Sequence, residues 1–561
     1  PDQAGGAHYV EHMLFNGTER FPKNELIDEL RSFGAAFGAD VNASTGFDET
    51  VYSLNVPAND DAVSTGLDIL DEWLTAALID PDEVEAERGV ILDEWRSRSQ
   101  TAGGRTTEAL VGFFLDDTPY AGRLPIGGRE AIETITPEAL RAFYDDWYRP
   151  DNAALIVVGD IDVNDMERAV SERFGDAADR GTSPEGTELG VELASETAAL
   201  VVGDADLAEG AAFLSLATSV DDGAAVEAAS QRRVYESLAF EIIATRLDDD
   251  ALRDDAPFDR AFRSSSSFVR DLDAPSIGVE VDGARTAEAV ERIVAEFERV
   301  ARFGFTEAEL DRVVTARRSA TQRAFDGAGS RQDTSFADEY VRHLLEGEWY
   351  VEPQREFDFS NAVLERATVD VVSTVFVERY VSAARRVFVE LPAAEVADAP
   401  TDAELIAIVD GAGEVDLEAR EAGESIGDVL VERPEAVEPT SVSLLTDRTF
   451  TAANPTVVTF GNGLVVAITD NQIVENQVFL DARRLGGLEQ VADADVGDAK
   501  VLRDVLADSG VGEFDRVAIE EFLDDKSVQL RADVAPFTTT MFGSAATTGL
   551  AVLFQWMHLP M

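Results

Sequence analysis

The chain has 561 residues, with 110 Asp and Glu against 46 Lys and Arg, a formal net charge of −64 and no cysteine. That balance repels nucleic acid and anionic membrane surfaces, and the lack of cysteine excludes disulfides and thiolate metal sites. No uninterrupted apolar run is long enough to span a membrane, and the length suggests three or four domains.

Four histidines occur in the whole chain, and two of them bracket a glutamate near its start: His8-Tyr9-Val10-Glu11-His12. On a helix, positions i and i+4 share a face, so both imidazoles point into one site, with Glu11 one turn from His8. Two imidazoles and an adjacent carboxylate are the minimum set for a metal-activated water with its own general base. The pattern is H-x-x-E-H, the inverted zinc-protease motif. The run from Gly5 to Thr18 is otherwise apolar, as a buried helix would be, and the glycines before His8 and Gly17 after it are plausible helix limits.

A hydrolytic zinc site takes a third protein ligand from another element. Pro81 opens a second helical pattern in which Val84, Ile91, Leu92 and Trp95 repeat at helical spacing. Glu87 and Glu94 stand two turns apart beside that stripe, and a carboxylate facing inward needs a partner such as a metal. Glu83 and Glu85 read as solvated charges. A di-iron carboxylate centre fails on composition, because it requires two Glu-x-x-His helices.

Further along, Ala153–Gly159 (AALIVVG) reads as a strand that closes a first, metal-binding module over residues 1–190. A second α+β module over 191–395 opens with AALVVG and ends on Val387–Leu391; its His343 is isolated, with no metal pattern around it. Residues 396–452 are rich in Glu, Asp, Ala and Pro, the composition of an interdomain connector. A third module spans 453–561 and begins with a strand–turn–strand signal centred on Asn462-Gly463.

The third module repeats the first. Phe21–Leu30 echoes Phe514–Leu523, Ala39-Asp40-Val41 recurs as Ala532-Asp533-Val534, and Thr65–Trp73 recurs as Thr548–Trp556. Carried to the motif, this offset sets His8, Glu11 and His12 against Val501, Asp504 and Val505, so the later copy is expected to be unable to bind zinc. By the same comparison the first module is expected to lack its opening strands, roughly 40 residues. The chain stops soon after Trp556, so truncation at both ends is the expectation.

The stretches Gly5–Thr18, Phe37–Thr45, Glu87–Glu94, Pro119–Gly127 and Phe143–Tyr148 together resemble the pitrilysin/insulinase family of zinc metallopeptidases, which includes the mitochondrial processing peptidase. They are most similar to its large bacterial members. The match is specific over roughly the first 160 residues and looser beyond. The resemblance implies an α+β fold of tandem homologous modules forming a clam shell around a peptide. It implies one zinc per chain on His8, His12 and Glu94, with Glu11 as general base and Glu87 as a supporting carboxylate. Phe15, Asn42 and Ala43 would meet substrate, the last two on an edge strand that pairs with an extended peptide. An arginine and a tyrosine from the family's last module have no counterpart in this sequence.

The expected function is a zinc-dependent endopeptidase acting on peptides or small unfolded proteins. The alternatives are a non-catalytic scaffold or binding subunit of the same family, or a zinc-binding but inactive fragment. Relatives of this type are often exported, so a periplasmic or extracellular bacterial location is the expectation; oligomeric state is open.

An acidic surface of this density repels itself unless salt screens it. Thermal unfolding followed from low to high NaCl should therefore show a rising transition temperature. A flat response would reject a salt-adapted surface.

Overall fold

The computed structural model describes residues 3–23, 25–175, 190–220, 226–253, 255–420, 435, 437–445, 455–470, 476–492, 495–499, 501, 519, 522–523, 526 and 528–558. The chain divides into two compact units. One comprises Pro1–Gly304, Gln332–Tyr350 and Val372–Glu418; the other comprises Phe305–Arg331, Val351–Val371 and Ala419–Met561. Both mix helices with mainly antiparallel sheet, the α+β architecture expected of the sequence.

The first unit opens with α1 (Gly6–Asn16), α2 (Glu25–Ser32), the hairpin β1 (Val41–Thr45) and β2 (Thr50–Leu54), α3 (Asp60–Thr75), α4 (Pro81–Gln100), α5 (Ala102–Leu115), α6 (Arg129–Thr134) and α7 (Pro137–Trp147). Helix α1 is the centre of this part. Tyr9, Val10, Met13 and Leu14 are buried in one core with Ile69 and Trp73 of α3, Val84 and Ile91 of α4, and Leu140 and Tyr144 of α7. Polar groups inside that core are paired, as burial requires. The Tyr9 hydroxyl donates to the Val84 carbonyl at 2.6 Å, and the Trp73 indole donates to the Leu14 carbonyl at 3.0 Å, near the C-terminal end of α1. Tyr144 donates to the Trp73 carbonyl and accepts from the Ala77 amide.

Helix α1 starts where two glycines meet. Gly5 caps it with φ 74°, and Gly127 lies against it with φ 79°. A Cβ on Gly127 would fall 2.9 Å from the Gly5 Cα, and one on Gly5 would fall 2.9 Å from the Ile126 carbonyl oxygen. Both the left-handed backbone and the close approach exclude a side chain here. Helix α4 begins as its sequence predicts, with Pro81 at its first turn and Asp80 capping the amides of Asp82 and Glu83.

Residues 153–159, read from the sequence as a strand, are not one: they run without a ladder partner among the described residues. Leu155 is left 36% exposed. A strand exists only through a partner, and an apolar run does not supply one.

After α8 (Val163–Phe174) come β3 (Ala198–Asp204), β4 (Ala211–Ser219), α9 (Val226–Ala251), β5 (Arg260–Ser266), β6 (Leu272–Glu280), α10 (Thr286–Phe303), α11 (Glu307–Gly327), α12 (Asp333–Glu346), α13 (Pro353–Glu365), α14 (Val369–Ser382) and β7 (Ala384–Pro392). The five strands form one sheet in the order β3-β7-β4-β6-β5, antiparallel except for the β3–β7 pair. Helix α15 (Asp402–Asp410) follows within the first unit, held by a Thr401–Glu404 capping box. His343 of α12 is exposed, with its Nδ1 2.6 Å from the Glu348 carbonyl oxygen.

The second unit contains α11 and α13, whose Phe325 and Phe357 rings lie 4.6 Å apart. It also holds β8 (Pro439–Leu444), β9 (Thr456–Phe460), β10 (Val465–Ile468), β11 (Gln477–Leu485), β12 (Val528–Val534), β13 (Thr538–Ala546) and α16 (Leu550–His558). The Asn462-Gly463 signal does join two paired strands, β9 and β10, with Gly463 at φ 90°. Strand β8 pairs with β9 although its six residues are all exposed, so ladder bonds rather than burial hold this part of the predicted connector.

The repeat is visible as a hairpin followed by a helix. Val41 pairs with Leu54 in one copy, and Val528 with Ala545 in the other; both valines are buried. Gly66 packs against Leu54 and Val56, and Gly549 against Val528 and Ala545, so the two Thr-Gly-Leu motifs seat their helices on the hairpins alike. The Ala-Asp-Val tripeptides are not equivalent, however. Val41 opens β1, whereas Val534 ends β12 beside the turn and pairs with Thr539. Hairpin register follows the turn and the buried face, and short identities do not override it. Asp504 and Val505, set against Glu11 and His12 by the sequence offset, lie outside the described residues, as does most of Phe514–Leu523.

No helix among the described residues is long and apolar enough to cross a membrane. Replacing Gly127 with Ala should cost about 2–4 kcal/mol, combining a left-handed backbone penalty with a clash against the start of α1. Urea unfolding monitored by tryptophan fluorescence would read it; a variant as stable as the parent would show that the two backbones separate freely.

Candidate metal centre

Helix α1 presents His8 and His12 on one face, their ring centroids 4.8 Å apart. From α4, Glu94 reaches the same place: its Oε2 lies 3.6 Å from His8 Nε2 and 3.3 Å from His12 Nε2. One ligating atom from each of the three residues falls within 4.8 Å of the others, which among the described residues makes the only such group of metal-type donors. Two imidazole nitrogens and one carboxylate oxygen match the donor set of a three-ligand zinc site with an open fourth position. The orientation of Glu94 suits this, because its other oxygen, Oε1, is occupied by Arg98 at 2.6 Å.

Glu87 stands one layer further out. Its Oε1 is 2.8 Å from His12 Nδ1, and its Oε2 accepts from the Asn16 amide at 2.7 Å. A carboxylate on the distal ring nitrogen fixes the tautomer and turns Nε2 toward the metal position. Burial disfavours a charge on His12, but its hydrogen bonds to Glu87 and Glu94 outweigh that and raise its pKa to about 9. In return, hydrogen bonds from both histidines hold Glu94 well below the usual carboxylate range. Burial pushes Glu87 up, yet the bonds to His12 and Asn16 leave it lowered overall. These bonds favour the charged form of His12 in the metal-free cluster.

Glu11 is 8% exposed and accepts a hydrogen bond from the Thr45 hydroxyl, at the end of β1. Beyond it, the phenols of Tyr52 and Tyr148 share a 2.6 Å bond, and burial raises the pKa of both above the ordinary phenol range. Both phenols therefore keep their protons at neutral pH.

The remaining sequence-predicted residues fall around this centre. Phe15 is half-buried against Phe37, Tyr52 and Trp73, with ring centroids 5.2–6.2 Å away. Asn42 and Ala43 lie on β1, which among the described residues has one ladder neighbour, β2. Val41, Ala43 and Thr45 alternate inward, while Asn42 and Ser44 are exposed. Asn16, Thr45 and Arg98 were not singled out from the sequence. Asn16 stands one helical turn after His12, and Arg98 one turn after Glu94, so spacing alone would have suggested both. Thr45 reaches Glu11 only through the tertiary fold.

Known proteins share these features. The family model described as Insulinase (Peptidase family M16) matches residues 1–121, and the model Peptidase M16 inactive domain matches 134–222. The probable zinc protease PqqL of Escherichia coli is 46% identical over 162 residues, 29% of this chain and 17% of that protein. The zinc protease PQQL-like of Arabidopsis thaliana is 25% identical over 553 residues, 98% of this chain and 54% of that protein. Among solved structures, the periplasmic protease PqqL from Escherichia coli superposes with a TM-score of 0.69 at 24% identity, covering 100% of this chain and 61% of that one. Pitrilysin does so at 0.63 and 16%, covering 99% and 58%. At these identities the structures speak for the fold. The chain spans little more than half the length of these larger relatives. Two models of one family, met in succession over residues 1–121 and 134–222, bear out the resemblance: this part of the chain belongs to the pitrilysin/insulinase family, peptidase family M16.

Proposed function

We propose that this chain carries the metal-binding half of a zinc-dependent endopeptidase that cleaves peptides or small unfolded proteins. The observation that carries the reading is the convergence of His8, His12 and Glu94 within 4.8 Å, beside a buried glutamate on the same helix. These three residues would hold the ion. Zinc bound there supplies a Lewis acid that acidifies water and polarises a carbonyl. Glu11 takes the proton from the attacking water and returns it to the leaving amine. Glu87, itself held by Asn16, keeps His12 in the tautomer that leaves Nε2 free. The edge of β1 without a ladder strand among the described residues would offer Asn42 and Ala43 backbone groups to an extended peptide, so affinity would come from main-chain bonds and be tolerant of sequence. Phe15 packs against Tyr52 of the neighbouring strand β2. PqqL from Escherichia coli is a periplasmic protease, and an exported location is proposed for this chain too.

Replacing Glu11 with Gln should leave zinc content at one per chain and abolish cleavage of an unstructured peptide. Retained cleavage would reject Glu11 as the base. A wild-type chain that binds zinc but cleaves nothing would point to a binding role.

Zinc uptake should also release protons. With its pKa near 9, His12 is protonated at pH 7 in the metal-free chain, and only the neutral ring can bind. Calorimetry in buffers of differing ionisation enthalpy should show about one proton released at pH 7, falling toward none once pH exceeds that pKa. Apparent affinity should therefore rise with pH through this window. Equal proton release at pH 7 and well above pH 9 would refute the charged state of His12.

A further inference from the structure

We propose that Thr45 is a positioning residue for the general base, tying the orientation of the Glu11 carboxylate to the hairpin whose edge receives the substrate. The proposal rests on the reading of Glu11 given above and adds the residue that aims it.

A glutamate has three side-chain torsions, and fixing it in one pose costs rotamer entropy. Glu11 is almost fully buried, so its carboxylate also needs a donor in place of water. The Thr45 hydroxyl meets both needs, donating to Oε2 in a charge-assisted bond. One oxygen is thereby anchored, and the lone pairs of the other remain to accept a proton.

Thr45 is itself fixed from two sides. It is the last residue of β1 and pairs directly with Thr50, the first residue of β2, across the turn. Their hydroxyls are 3.3 Å apart, and cross-strand threonine pairs of this kind stabilise a hairpin. β-Branching leaves Thr45 few χ1 choices, so its hydroxyl direction follows the strand backbone. Ala43 precedes it by two residues and lies on the same inward face, so a peptide pairing along β1 acts on the strand that aims the base. A backbone shift at the edge is passed to Glu11 through a single hydroxyl.

The test uses the whole chain loaded with zinc, in Thr45→Val, Thr45→Ser and Glu11→Gln forms. Valine keeps the shape of threonine and removes the hydroxyl. Thr45→Val should lower kcat about tenfold to hundredfold, the scale expected of a misdirected catalytic group, with KM and zinc content unchanged. Thr45→Ser should restore most of kcat. Thr45→Val with full kcat would overturn the proposal, as would Thr45→Ser falling equally far, since then the methyl and its packing are what matter. If wild type and every variant cleave nothing, the peptidase reading fails, and the positioning role is decided by crystal structures of zinc-loaded wild type and Thr45→Val. A Glu11 carboxylate that leaves its wild-type pose in Thr45→Val supports the role; one that stays in place overturns it.

Discussion

Packing α1 into the core forces polar side chains out of water, and most of the site's arrangement follows from the need to satisfy them. His8 and Glu11 are less than a tenth exposed, flanked by the fully buried Tyr9, Val10 and Met13. Each such group costs several kcal/mol if left unpaired in an apolar medium. Glu94 answers His8 and His12, Glu87 answers His12, Asn16 answers Glu87, and Thr45 answers Glu11. Among the buried polar atoms of α1, His8 Nδ1 is without a hydrogen-bond partner among the described residues.

The pairing works only if α1 and α4 keep their register, and apolar contacts slide too easily to ensure that. Directional bonds do so instead. The Tyr9 hydroxyl is pinned to the Val84 carbonyl, one turn before Glu87, and the Arg88 guanidinium reaches the carbonyls of Ile132 within α6 and Ile135 at its C-terminal end. Arg88 also lies 5.9 Å from the Tyr9 ring centroid. A slip of α4 by one residue would rotate Glu87 and Glu94 by about 100° away from the histidines. Specificity of register is thus carried by residues that touch neither the proposed metal nor the proposed substrate.

Charge gives the centre a second property. Three carboxylates, Glu11, Glu87 and Glu94, meet two imidazoles in a chain whose net charge is −64. The hydrogen bonds that favour a charged His12 partly offset that concentration, and a divalent cation would do so more fully. The hairpin-and-helix repeat in the second unit keeps the scaffold, with Val528, Ala545, Val552 and Leu553 in its core.

The sequence by itself determined whatever depends on local periodicity. His8 and His12 share a face because four residues make just over one turn, and Glu87 and Glu94 share one because seven make just under two. Helix limits at Gly5, Gly17 and Pro81 were legible for the same reason, since backbone conformation there is set by the residue itself. What required the fold was anything decided by a partner distant in the chain. Ala153–Gly159 has strand composition but no ladder neighbour, Pro439–Leu444 has a neighbour despite its exposed and connector-like sequence, and the hairpin register contradicts the Ala-Asp-Val match. Thr45 belongs with these: nothing local marks it, and it meets Glu11 only because the hairpin folds back against α1. Periodicity fixes which side chains share a face, but which groups face each other is settled by packing between elements, and that information is spread over the whole chain.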